Sequence, residues 1–177
     1  MALPDYFKVE QGTAIVWGEA SGSGVTNTLS LDALAAAGGR MGAAVDLGSA
    51  FDEEYAVIVR VETGTAPTAG GVVEVYLASS HDNSTWPGKV TGSDAAYPAT
   101  ISANKLQLGP PVAFLVATAD TNTILYQQPV IWRPPCRYVA PVVVNLMSQA
   151  FRDEATASNN DSRVILIPRR LLVQDSA

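Results

Sequence analysis

The sequence predicts an all-β protein, an antiparallel β-sandwich with long loops, either a plain sandwich or a jelly roll. Short apolar or alternating runs recur along the whole chain. Turn signals rich in Gly, Pro and Asn separate these runs, and no segment has the length and period of a stable helix. At 177 residues the chain is predicted to form one domain, residues 1–177, with extended N- and C-terminal segments.

The first half of the chain contains the clearest alternation of apolar and polar residues. The strands predicted there are residues 13–17, 25–31, 43–48, 54–63 and 72–78. Between them, residues 32–39 are predicted to form a loop with at most one helical turn, because the segment is too short for a stable helix. Strands 54–63 and 72–78 follow each other across a Gly- and Pro-rich turn, so they are predicted to pair as an antiparallel hairpin.

The second half begins with a long polar loop, residues 79–98. The strands predicted after it are residues 106–108, 112–118 (buried), 123–131, 138–144, 163–167 and 171–174. Proline cannot donate to a strand ladder, so Pro129 is predicted to lie at an edge or a bulge, and Pro168 to split the last run into two strands. A second polar loop covers residues 148–162, and the final residues 175–177 are predicted to fray.

Composition and charge narrow the classes of partner. The net charge of −6 argues against nucleic acid, which needs a basic surface, and no apolar run is long enough to span a membrane. The N-terminus lacks the pattern of a signal peptide, so synthesis in the cytoplasm is expected. The charge is +2 from Trp132 onward and −8 before it. This asymmetry could favour head-to-tail contacts between copies or docking on an acidic partner. The alternative is that it has no function.

No residue pattern predicts catalysis, and we expect no enzyme activity and no cofactor. His81 is the only histidine, and no Gly-x-Ser-x-Gly elbow accompanies it. The adjacent acids Asp52, Glu53 and Glu54 could supply paired carboxylates. Acids that precede a strand more often form a solvated edge, and that interpretation is preferred here.

Metal binding is also not predicted. The single cysteine, Cys136, excludes a multi-cysteine site and an intramolecular disulfide, and a buried packing role is expected for it. Asp153, Glu154 and Asp161 could offer oxygen ligands to calcium, but their spacing matches no EF-hand loop.

Aromatic and basic residues in the loops and in the basic C-terminal part are the candidates for contacts with a partner. The predicted interface residues are His81, Asp82, Trp86, Trp132, Arg133, Arg137, Arg152, Arg169 and Arg170. Trp86, in the polar loop, could instead stack on a sugar ring. Core packing is the alternative for both tryptophans, and it is favoured more strongly for Trp132.

Several phrases along the chain resemble a family of tailed-bacteriophage virion proteins. The phrases are residues 31–40 followed by 45–48, residues 63–71 followed by 73–78, residues 92–97, residues 134–138 followed by 141–145, and residues 163–168. The likeness extends from Leu29 to Pro168.

The resemblance implies a small β-sandwich protein on the outside of a capsid, made in the bacterial host cytoplasm. It implies a decoration (cement) protein that binds the major capsid protein and copies of itself as a homotrimer, without nucleic acid or membrane. The alternatives are a tail, neck or fibre-attachment component and a host-glycan-binding module. The family has no catalytic residues to transfer to this chain.

Overall fold

Twelve β-strands dominate the computed structural model, which describes residues 6–65, 67–100, 102–154, 156 and 159–174. In chain order the strands are β1 (Tyr6–Gln11), β2 (Ile15–Gly18), β3 (Asn27–Thr28), β4 (Gly39–Met41), β5 (Val45–Asp46), β6 (Glu54–Glu62), β7 (Val72–Ser80), β8 (Ala95–Ala96), β9 (Ala113–Val116), β10 (Ile124–Trp132), β11 (Tyr138–Asn145) and β12 (Arg163–Gln174). A 3-10 turn (Pro87–Lys89) and a short helix α1 (Ser102–Leu106) lie between β7 and β9.

The strands form two six-stranded sheets that pack face to face. The first sheet has the order β10-β6-β12-β2-β3, with β1 also paired to β12. The second sheet has the order β8-β4-β11-β7-β9, with β5 also paired to β11. Strands β2, β12, β6 and β10 thus lie opposite β4, β11, β7 and β9, which is the strand order of a jelly roll. The predicted all-β sandwich is confirmed.

The core between the sheets comes from one face of each long strand. On β6, Tyr55, Val57, Val59 and Val61 are at most 2% exposed, as the alternation in the sequence predicts. They pack in one cluster with inward residues of the second sheet such as Val75. Burial of each such side chain contributes about 1.5–3 kcal/mol to stability relative to an exposed one.

The predicted hairpin between residues 54–63 and 72–78 is wrong. Both segments are strands, but β6 pairs with β10 and β12 in the first sheet, whereas β7 pairs with β11 and β9 in the second. The alternation of apolar and polar residues in a strand shows which residues share a face of the sheet. It does not show which other strand lies beside it. The connecting residues therefore cross from one sheet to the other.

Pro168 does not split the last strand, contrary to the prediction, and β12 continues for twelve residues. The Pro168 carbonyl accepts a hydrogen bond from the Gly12 amide (2.9 Å) at the junction of β1 and β2. The N–H and C=O of one residue point to the same side of an antiparallel strand, so the N–H that proline lacks would point to the exposed Gly12 and not to β6. The proline therefore costs no hydrogen bond to β6. Pro129 behaves as predicted, because β10 is an edge strand with a register shift between Gln127 and Val130.

Three further segments differ from their predictions. Only two residues of 25–31 form a strand, β3, because this segment meets β2 briefly and in parallel. Residues 106–108 end a helix and form a turn instead of opening a strand. Strand β9 lies within 112–118 but is buried on one face only, since Phe114 and Val116 are 54% and 59% exposed. Residues 32–38 form a loop with two turns, as predicted, and Gly39 begins β4.

The segment between β7 and β9 covers the outer face of the second sheet. A second hydrophobic cluster forms there between strand residues such as Tyr76 and Val142 and segment residues such as Tyr97 and Val90. The predicted loop 79–98 is therefore packed over part of its length, and its first two residues belong to β7. The predicted fraying of residues 175–177 lies outside the described part of the chain.

Candidate interaction surfaces

The outer face of the first sheet presents a row of apolar side chains that are not part of either hydrophobic cluster. Val16, Ile165 and Ile58 lie side by side across β2, β12 and β6 in the observed register. Each is half-buried, and each lies between residues that point into the core. The centre of this face is therefore apolar.

A second apolar row lies beside the first on the same face. Ile167 of β12 is opposite Ala56 of β6, which is opposite Ile131 of β10. Ile131 is 45% exposed, and Tyr126, further along β10, is 49% exposed. We call the two rows together, Val16, Ile58, Ile165, Ala56, Ile131 and Ile167, the apolar face. Ala56 is buried between its larger neighbours. The second sheet has a hydrophobic cluster over its outer side, and none of the residues of the apolar face belongs to a cluster of this kind among the described residues.

Charged residues border the apolar face at both ends. At one end Arg60 and Arg163 are cross-strand neighbours, and the Arg60 Nη2 atom lies 3.4 Å from Asp161 Oδ2. At the other end Glu54 lies opposite Arg169. An apolar centre with a polar rim is the usual anatomy of a protein–protein interface.

A charged groove of about 670 Å³ lies at the Arg169 end, where β12 extends beyond β6. Its lining residues are Val9, Phe51, Asp52, Glu53, Glu54, Arg133, Arg169 and Arg170. The groove therefore brings together three of the predicted interface arginines and the three adjacent acids that the sequence analysis considered for catalysis.

Ion pairs within the groove leave its charges mutually balanced. Arg133 Nη2 lies 2.7 Å from Glu54 Oε1, Arg169 Nη1 lies 3.8 Å from Glu54 Oε2, and Arg170 pairs with Asp52. The hydrogen bond from Arg133 holds the pKa of Glu54 below its ordinary value. The carboxylates of Asp52 and Glu54 are therefore held by arginines of the same chain.

His81 and Asp82 form a tight turn directly after β7. Asp82 Oδ1 accepts hydrogen bonds from the amides of Thr85 (2.8 Å) and Ser84 (2.9 Å). These bonds hold the pKa of Asp82 well below its ordinary value. The His81 side chain is 78% exposed, and its Nε2 atom is 3.9 Å from Asp82 Oδ2. Asp82 therefore shapes the turn, and His81 is available for contact.

The two predicted tryptophans pack against different clusters. Trp132 packs on the core between the sheets, with its ring centroid 6.3 Å from that of Tyr55. Trp86 packs on the outer cluster of the second sheet, and its Nε1 atom donates to the Asn83 carbonyl (3.3 Å). Packing thus accounts for both residues, as the alternative interpretation anticipated.

Arg137 and Arg152 differ in their surroundings. Arg137 pairs with Asp46 at the surface and lies over the Tyr138 ring, 5.2 Å from its centroid. Arg152 pairs with Glu62, whose side chain is only 7% exposed, and lies 2.7 Å from Glu154. Arg152 therefore neutralises a buried carboxylate, which is a structural role that the sequence analysis did not anticipate.

The calcium alternative does not fit the observed arrangement. Glu154 pairs with Arg152 and Asp161 with Arg60, so these carboxylates are directed at cations of the chain. Among the described residues, no three His, Cys, Asp or Glu side chains gather as a metal site would require. Cys136 is a free, half-buried thiol.

Most of the apolar face was not predicted from the sequence, because no local pattern links the outward residues of β6 to β2 and β12. The available signal was the run Val164–Ile167 in β12, in which consecutive residues are all apolar. A strand that is apolar at both odd and even positions has to cover both of its faces.

Comparisons of the chain with protein-family models, with curated proteins and with solved structures found no match. Within the described residues, no helix is long and apolar enough to cross a membrane.

Proposed function

We propose that this chain is a bacteriophage virion structural protein that decorates the capsid by docking its apolar face on the major capsid protein. The observation that supports this most directly is the apolar face itself, with Ile165 at its centre and charged residues at its ends. A soluble domain rarely leaves such a face uncovered unless a partner occupies it.

The fold and the resemblance point in the same direction. Jelly rolls are common in viral capsid proteins and in lectins, although a fold alone does not assign a function. The phrases that resemble virion proteins extend over most of the chain and include residues 163–168 of β12, which supply two residues of the apolar face. Repetition of one modest contact over a shell gives high avidity without a large interface on each copy.

The copy number in purified virions of the encoding phage tests the location. Quantitative mass spectrometry against the major capsid protein gives the ratio directly. A ratio comparable to that of the capsid protein supports decoration. A total of about a dozen copies or fewer, as expected for a tail, neck or fibre part, overturns it in favour of that alternative.

Binding of the purified protein to capsids that lack it tests the face. We expect Ile165→Lys to abolish binding, because it places a charge at the centre of a desolvated contact. The matched control is Leu106→Lys, since Leu106 is 80% exposed and belongs to the segment over the other sheet. Equal binding by both folded variants would exclude the apolar face as the contact.

The glycan-binding alternative stays a prediction with its own test. Trp86→Ala should abolish glycan binding if the Trp86 ring stacks on a sugar. The partial burial of this ring in the outer cluster leaves less of it available than an exposed tryptophan would offer.

A further inference from the structure

Strand β12 extends five residues beyond the end of β6, and among the described strands it is paired there on one side only. The last residue of β12 with a neighbour in β6 is Arg169, which lies opposite Glu54. From Arg170 to Gln174 its neighbour within the described part of the chain is β1, through pairs such as Val9 opposite Leu171. The two terminal strands therefore form a two-stranded ribbon that continues past the first sheet.

The hydrogen-bond pattern shows which backbone groups of the ribbon are unpaired. Pro168 directs its carbonyl to Gly12, on the β1 and β2 side. Backbone groups alternate in direction along a strand, so those of Leu171 and Val173 point to the other side, where β6 has ended. Four strong hydrogen-bonding groups, two N–H and two C=O, are thus without a strand neighbour among the described residues.

Most of the other free edges are interrupted or short. Strand β10 is interrupted by Pro129 and a bulge, β3 and β8 have two residues each, and β9 has four. Strand β1 contains the charged Lys8 and Glu10. The β12 segment has three consecutive apolar residues, 171–173, and neither proline nor bulge. An exposed edge of this kind pairs readily with another strand.

We propose that this edge is the contact between two copies of the chain, in which each β12 adds a strand to the other by antiparallel pairing. Two identical antiparallel strands are self-complementary, and a two-fold axis closes the assembly. The register that uses both free residues of each copy pairs Leu171 with Val173 of the second copy and centres Leu172 on Leu172. Four hydrogen bonds then satisfy the four unpaired groups of each edge.

The charged groove at the base of the ribbon is compatible with a second copy. Its three arginines and three carboxylates balance each other, so an identical groove meets no net repulsion. A strongly acidic or basic partner strand gains no electrostatic preference there. A second copy therefore fits better than a charged peptide. The contact is independent of the capsid proposal, and its two-fold symmetry differs from the homotrimer that the resemblance implies.

Sedimentation velocity over a concentration series tests the proposal with two matched proline variants. Leu171→Pro removes an N–H that faces the free edge, and Val9→Pro removes one on the outer edge of β1, directly across the ribbon. We expect wild-type dimers, dimers for Val9→Pro, and dimerisation at least about tenfold weaker for Leu171→Pro, since two of four hydrogen bonds are lost. A monomeric or trimeric wild type, or equal effects of the two prolines, overturns the proposal.

A cysteine cross-link tests the register even if a proline variant fails to fold. In a Cys136→Ser background, Leu172→Cys places two thiols at a non-hydrogen-bonded antiparallel pair with Cα atoms about 4.5 Å apart, within disulfide range. We expect covalent dimers under mild oxidation. Lys8→Cys, opposite Leu172 in the ribbon, is the control and should stay monomeric on denaturing gels. Absence of the Leu172→Cys cross-link, or an equal yield from Lys8→Cys, contradicts the proposal.

Discussion

Replacement of Arg152 by methionine should destabilise the fold far more than replacement of a surface arginine. Arg152 pairs with Glu62, whose side chain is 7% exposed, while the Arg152 side chain itself is 32% exposed. Within the described residues, the variant leaves the buried Glu62 carboxylate one long hydrogen bond, from the Asp161 amide (3.4 Å). Loss of one partner of a buried pair costs about 3–5 kcal/mol, and partial solvent access to Arg152 places the expected loss near the lower limit, about 3 kcal/mol.

The assay is equilibrium urea unfolding followed by tryptophan fluorescence. For a chain of this length each kcal/mol lowers Tm by about 2–4 °C, so a parallel thermal scan should show a fall of about 9 °C. Arg137→Met is the matched control, because the Arg137–Asp46 pair is 42% exposed on both sides and should leave the unfolding midpoint unchanged within error. Equal losses for the two variants would refute the reasoning that burial of Glu62 decides the effect.

Three further predictions concern buried polar groups and backbone geometry. Asn145→Ala should lower the free energy of unfolding by about 3 kcal/mol in urea, because the fully buried Asn145 side chain donates to three backbone carbonyls and accepts from one amide. Glu19→Gln should stabilise the protein at neutral pH, because burial raises the pKa of Glu19 and its charged form therefore lowers the stability of the folded chain. That advantage over wild type should disappear as the pH falls below 4.5, the ordinary value, and an advantage that persists in acid would contradict it. Gly88→Ala should lower the stability more than Gly48→Ala does. Both glycines have positive φ, but only at Gly88 would a Cβ lie 2.5 Å from a backbone oxygen, that of Asn104. Equal shifts of Tm for the two variants would show that the contact at Gly88 relaxes.

Local periodicity predicted the long strands β6, β7, β10 and β11 but not their partners, and it did not predict β1, β4 or β8. The inward positions of β6 and the edge position of Pro129 follow from the chemistry of single residues, and both are confirmed. The neighbours of β6 are β10 and β12, which are distant in sequence. No local pattern encodes such pairing, so a sequential hairpin with β7 was the natural but wrong expectation.

The candidate surfaces were predictable only in part, for the same reason. The groove arginines Arg133, Arg169 and Arg170 were identified by their charge. The apolar face was missed because it forms only when β2, β12, β6 and β10 lie side by side. The ribbon was missed because Pro168 was expected to end a strand, whereas its missing donor faces the junction at Gly12 and costs no bond to β6.

The two proposed contacts have a geometric relation that can be tested together. Residues directly opposite in an antiparallel pair lie on the same face of a sheet, so a two-fold axis at Leu172 runs perpendicular to the sheet. The first sheets of the two copies then form one continuous sheet, and both apolar faces point to the same side. A dimer therefore offers two faces to a capsid at once, and linked binding sites gain avidity.

This relation separates the effects of the two kinds of variant on capsid binding. Ile165→Lys removes the contact itself and should abolish binding at any concentration. Leu171→Pro leaves the apolar face intact but makes it monovalent, so binding should persist with faster dissociation, while Val9→Pro should behave as wild type. Dissociation of bound protein from immobilised capsids measures all three. Leu171→Pro could be monomeric in solution and still dissociate from capsids as slowly as the wild type. In that case the two apolar faces of a dimer do not act together, and the dimer does not serve to raise the avidity for capsids.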